Sequence, residues 1–206
     1  MKKITLTILT SLLFFNVYSQ FMALPGIKAG GNYSNLMGDS RETGKFGFHV
    51  GAIAEIQITG NMFFQAEVLY SLQGAKYDIV EETLEYDRKV DLHYLNVPLM
   101  AKIYLNGYDD GWFFEVGPQV GFLVFAKETV DGTLNGEPIY EEAKVTDFYS
   151  ATDLYGSFGV GYKPFDSDFF ISARYNLGLT DVDEYEDVDV KARNTVVQLS
   201  FGFIFD

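Results

Sequence analysis

Apolar and polar residues alternate with a period of two along most of the chain. Between residues 46 and 58 the large or apolar positions are Phe46, Phe48, Val50, Ala52, Ala54, Ile56 and Ile58, interleaved with Gly47, His49, Gly51, Ile53, Glu55 and Gln57. The same rhythm runs through Met62, Phe64, Ala66, Val68, Tyr70 and Leu72, and through Phe169, Ile171, Ala173, Tyr175, Leu177 and Leu179. It closes with Val197, Leu199, Phe201, Phe203 and Phe205. A two-residue period is the mark of strands with unlike faces, and helical spacing is hard to find. The pattern predicts eight strands near 25–35, 46–59, 62–78, 90–105, 112–128, 148–163, 168–180 and 194–206.

The connections fall into two classes. Short ones follow strands two, four and six, at Gly60-Asn61, at the NGYDDG stretch from Asn106 and at the PFDS stretch from Pro164. Longer, charged ones follow the odd strands, over Leu36 to Lys45, Ile79 to Lys89, Thr129 to Asp147 and Asp181 to Arg193. Short turns alternating with long loops predict an all-β, eight-stranded antiparallel up-and-down transmembrane barrel, turns in the periplasm and loops outside. The alternative is a soluble barrel of the lipocalin kind.

The two faces discriminate between these. One face is nearly free of charge, whereas the other collects it. A closed eight-strand barrel has an interior just wide enough for side chains. Rows of Phe and Tyr crowd such a space if they point inward, and are solvated by lipid if they point outward. Outward placement also sets Phe46, Tyr104, Trp112, Phe148, Tyr162, Phe169 and Phe205 as candidates for interfacial aromatic girdles. The same parity gathers Lys28, Lys102 and Arg174 with Glu55, Glu67, Glu115 and Asp153 in the lumen. Unpaired charges there are costly, so an ion-pair network that plugs the barrel is expected. Pro98 and Pro118 lie inside predicted strands, where a missing N–H predicts bulges or breaks that shift parity.

Composition adds to this. The chain holds 19 Phe, 14 Tyr and 20 Gly but only 5 Pro, in keeping with an all-β protein. Residues 1–19, with Lys2 and Lys3 before an apolar run, have the layout of a secretory signal cleaved after Ser19, leaving 20–206 as one barrel domain exported to the outer membrane. The absence of cysteine excludes a lipoprotein anchor and disulfides. The net charge of −14, more acidic still without Lys2 and Lys3, argues against nucleic acid.

The segments GIKAGGNYSNL at Gly26, FHVGAIAEI at Phe48, AEVLYSLQGAKY at Ala66, LHYLNVPLMAKIY at Leu92, FEVGPQVGFLV at Phe114, ISARYNLGLTDV at Ile171 and VVQLSFGFIF at Val196 occur in an order that resembles the PorT-like outer-membrane β-barrel family of Gram-negative bacteria. That resemblance implies an eight-stranded, porin-family-like barrel in the outer membrane and little about activity. One branch of the family is similar to components that support protein secretion. The last strand looks like the signal read by the barrel-assembly machinery, although Asp206 follows Phe205.

Few residues suggest chemistry. His49 with Ser71 and Glu67 can be drawn as a triad, and His93 shares a face with Asp91 and Leu95 near the rim. The stretch DVDEYEDVDVK places Asp181, Asp183, Glu184, Glu186, Asp187 and Asp189 close together, a candidate cation-binding loop of hard oxygen ligands without EF-hand spacing. The loop from Thr129 to Asp147 is the longest and a candidate contact surface. The expectation is a monomeric, non-enzymatic barrel without cofactor, of structural or interaction type. Its partners would be outer-membrane lipid and lipopolysaccharide, the assembly machinery, and an extracellular or secretion-system protein. The rivals are a small transport barrel, a lipid-modifying enzyme using His49, and a soluble carrier.

Overall fold

A computed structural model describes residues 23–37, 42–81, 84–134, 137–180 and 193–205. Its strands are β1 (Ala23–Met37), β2 (Glu42–Gln57), β3 (Met62–Glu81), β4 (Leu84–Tyr104), β5 (Gly111–Leu134), β6 (Glu137–Lys144), β7 (Thr152–Lys163), β8 (Phe169–Gly178) and β9 (Arg193–Ile204). Each ring strand pairs antiparallel with its neighbour in the chain, except that β5 pairs onward with β7, and β1 closes the ring against β9. Eight strands therefore form a closed barrel, while β6 pairs with β5 alone and stands outside the ring. Among the described residues no helix is long and apolar enough to cross a membrane, which says nothing of strands.

Closure satisfies the backbone without water, which is what hydrocarbon demands. The shortest ring strand, β8, has 10 residues. At about 3.4 Å per residue and a tilt of about 40°, it covers about 25 Å, the height of a lipid-facing band. The interior is inverted relative to a protein dissolved in water. Phe201, Phe169 and Phe114 are 65, 63 and 55 % exposed on the outer face, whereas Arg174, Lys28 and Glu67 are each 1 % exposed within. The outward face thus needs an apolar solvent.

Two of the long connections are not loops. β3 and β4 continue in register to Glu81↔Leu84, through most of Ile79 to Lys89. β5 runs for 24 residues and then folds back as β6 through Leu134↔Glu137. The upper parts of β3, β4, β5 and β6 form a four-stranded sheet beyond the barrel rim. The charge of these segments disguised their alternation: Tyr86, Arg88 and Val90 face one way, Asp87, Lys89 and Asp91 the other. The acidic stretch Asp181 to Asp189 lies outside the described residues, as does the segment 1–19.

The prolines do not shift parity. The β3–β4 ladder skips from Ala66↔Leu99 to Leu69↔Asn96, beside Pro98, and resumes in the same register. The β4–β5 ladder likewise skips from Pro98↔Gln119 to Ala101↔Val116, beside Pro118. Each missing donor costs the ladder a local step and nothing more. The register shift instead falls at His93/Tyr94, where His93 opposes Phe125 and Tyr94 opposes Leu123. A bulge in β5 there moves its inward set from Gln119 and Gly121 to Ala126.

Candidate functional site: a lumen filled by ion pairs

The lumen is layered. Nearest the short turns, Ile53, Phe63, Tyr104, Phe113, Phe170 and Ile204 form a buried apolar cluster, with Phe113 and Phe170 rings edge to face at 6.0 Å. Tyr104, expected in a girdle, belongs here at 1 % exposure, because even positions of β4 point inward. Phe46, Trp112, Phe148, Tyr162, Phe169 and Phe205 are exposed on the outside. Gly202 makes room for this cluster: a Cβ there would lie 2.1 Å from the Phe170 ring.

Lys102 rises from β4 above the aromatic floor, its Nζ 4.1 Å from the Phe113 ring centroid and 4.5 Å from that of Phe170. It donates to Glu55 and, at 3.4 Å, to Gln65 Oε1. Above it lies the central pairing. Arg174 Nε and Nη2 donate to Glu115 at 2.7 and 3.0 Å, and Nη1 and Nη2 donate to Glu67 at 3.0 and 2.6 Å. Two carboxylates share one guanidinium in a double fork, the geometry that suits arginine better than lysine. Lys28 Nζ adds a contact of 3.4 Å to Glu67. A Cβ at Gly159 would come 2.8 Å from Glu115 Oε1, so glycine there leaves space for the carboxylate.

β3 and β8 are four positions apart in a ring of eight, so the Arg174 to Glu67 contact spans the barrel's diameter. Lys28, Glu55, Glu67, Lys102, Glu115 and Arg174 come together as three bases and three acids. Asp153 stands apart, accepting from Thr180 with Tyr155 beside it and making no ion pair among the described residues.

Toward the opposite end, Asn32, His49, Ser71 and Ser200 form a hydrogen-bonded set. His49 Nδ1 meets Asn32 Oδ1 at 2.6 Å and Nε2 meets Ser200 Oγ at 2.9 Å, while Asn32 Nδ2 donates to Ser71 at 2.8 Å. The triad of His49, Ser71 and Glu67 is therefore not formed: Ser71 bonds the amide and Glu67 is engaged by Arg174, Lys28 and Gln65. Asn194 donates to both Gln73 Oε1 and Tyr155 Oη, tying three strands together across the interior. Ala75, Val90, Leu92, Tyr94, Ala126 and Val145 make a second apolar cluster at the mouth. His93 faces outward in a belt with Tyr70, which bonds its Nδ1 at 2.5 Å, and Phe125, whose ring lies 5.0 Å away. Among the described residues no group of three or more His, Cys, Asp or Glu is arranged to hold a metal.

A closed meander of eight strands, lipid-facing outside and ionic within, defines a membrane-spanning β-barrel of the bacterial outer membrane. The chain belongs to the outer membrane protein beta-barrel domain family, whose model matches residues 19–184. No curated protein matches it. Among solved structures it is similar to Ail, the attachment invasion locus protein of Yersinia pestis, at 12 % identity and a TM-score of 0.47, covering 89 % of this chain and 99 % of that one. It is also similar to Neisserial surface protein A, at 15 % identity and a TM-score of 0.43, covering 88 % and 97 %. A third is the N-terminal β-barrel domain of Pseudomonas aeruginosa OprF, at 13 % identity and a TM-score of 0.35, covering 87 % and 97 %.

Proposed function

We propose that this chain is a PorT-like, non-conducting barrel of structural and interaction type, serving surface binding, envelope integrity or the support of a secretion assembly. The contact of Arg174 with Glu67 across the diameter carries this reading. A side chain that bridges opposite walls, neutralised on both sides and stacked between two apolar clusters, leaves a solute no continuous wet path. The partner surface in this reading is the four-stranded sheet beyond the rim, reached by an extracellular or secretion-system protein. Export through residues 1–19, insertion of 20–206 by the barrel-assembly machinery and action as a monomer complete it.

The test is electrical. Purified mature protein in planar bilayers is expected to give no steady single-channel current. Sustained conductance would overturn the closed lumen and promote the transport reading. Crosslinking in intact envelopes through Tyr140 on β6 is expected to capture a protein partner.

A further inference from the structure

The protruding sheet is charge-stratified in a way that the acidic chain as a whole does not predict. Its outward face continues the lipid-facing side of the barrel. Along β4 the buried positions Val90, Leu92 and Tyr94 point inward, so Lys89, Asp91, His93 and Leu95 point outward. The belt of Tyr70, His93 and Phe125 marks the top of the apolar band. Two residues above it, one row reads Asp91, Lys127, Lys144, and two further on the next reads Lys76, Lys89, Thr129, Glu142. At about 3.3 Å per residue these rows sit some 6 to 13 Å along the strands from the belt, which is the headgroup layer.

Two lysine pairs on this face are directly opposed, Lys76 with Lys89 and Lys127 with Lys144. Like charges opposite one another destabilise a sheet unless a counter-charge joins them. The nearby acids supply only part of it. Asp91 is bonded by Lys45 and lies 3.6 Å from Lys89, while Glu142 accepts from Lys127 and from the Tyr140 hydroxyl, both at 2.6 Å. The bond from Lys127, then that from Tyr140, holds the Glu142 carboxyl below its usual range. Lys76 and Lys144 are exposed and make no ion pair among the described residues. Edge protection explains lysine on β6 but not Lys76, Lys89 and Lys127, which lie on strands with neighbours on both sides. One row higher the charge changes sign, with Asp87 opposite Asp131.

We propose that Lys76, Lys89, Lys127 and Lys144 form a binding site for the phosphate groups of the glycolipid in the outer leaflet. Anions at headgroup height would neutralise both opposed pairs and fix the sheet against the membrane surface. The site goes beyond the closed-lumen reading and does not depend on it, so silence or current in planar bilayers leaves it standing.

The test uses the mature full-length protein in phosphatidylcholine vesicles, alone or with bisphosphorylated lipid A, dephosphorylated lipid A, or inorganic phosphate. The readout is the temperature at which the heat-modifiable band is lost. Bisphosphorylated lipid A is expected to raise that midpoint by several degrees. K76Q/K89Q/K144Q is expected to lose more than half of the rise, while its midpoint in phosphatidylcholine alone stays level or increases because repulsion is relieved. Arginine at the same three positions is expected to keep the rise, as is Lys163→Gln at the opposite end. An undiminished rise in the triple variant, an equal rise with dephosphorylated lipid A, or its reproduction by inorganic phosphate would each overturn the site.

Discussion

Replacing Arg174 by methionine asks the most of the lumen. The side chain makes four charge-assisted hydrogen bonds of 2.6 to 3.0 Å and is 1 % exposed. Methionine keeps much of the volume but leaves Glu67 and Glu115 facing each other, with Lys28 at 3.4 Å from Glu67 as the nearest remaining cation. Breaking a buried pair by removing one partner costs about 3–5 kcal/mol, since an uncompensated charge stays behind. Neutralising Glu115 as well leaves Lys28 to balance Glu67, so E115Q/R174M is expected to recover most of that loss. The assay is urea unfolding in vesicles followed by the fluorescence of Trp112, the chain's single tryptophan, exposed on the lipid face and 5.3 Å from the Tyr162 ring. A loss under about 1 kcal/mol for Arg174→Met, or an E115Q/R174M variant as unstable as the single, would refute the claim that the charges are mutually dependent.

Three further outcomes follow from the geometry. Gly202→Val drives a side chain into the Phe170 ring and is expected to cost about 1–3 kcal/mol in the same urea assay, with recovery when Phe170→Ala is added. His49→Ala strands Asn32 Oδ1 and Ser200 Oγ, costing about 1–3 kcal/mol, while mass spectra of lipid A from cells carrying the variant match the wild type. Glu142→Gln loosens an exposed pair with Lys127, so the unfolding midpoint is expected to stay close to the parent's, in contrast to Arg174→Met.

Much of this was legible in the alternation of residues. The inward set on β2, β3 and β8 follows directly from parity, because one face of a barrel strand meets lipid and the other does not. Parity also assigns Tyr104 to the interior once Lys102 is there, two residues earlier on the same strand. Reading it as a girdle residue set a composition argument above the stronger geometric one. What parity cannot supply is which charges meet across the ring. The fork of Arg174 on Glu67 depends on strand stagger, and nothing local to Arg174 encodes that the partner lies 107 residues away. β6 escaped notice for a different reason: Pro138 and the acids around it read as loop, and its pairing with β5 supplies the strand character that its own residues lack. The two prolines misled in the opposite direction, since a ladder can omit a step at each without losing register.

The pairing of β1 with β9 has a bearing on how the molecule is made. Ile27 faces Phe203 at a seam whose two sides lie far apart in the chain, so the ring of eight strands stays an open sheet with two raw margins until β9 pairs with β1. Until that zipper shuts, backbone groups along both margins are exposed to whatever surrounds them, and a nascent molecule needs shelter from stray pairing for the whole of that interval.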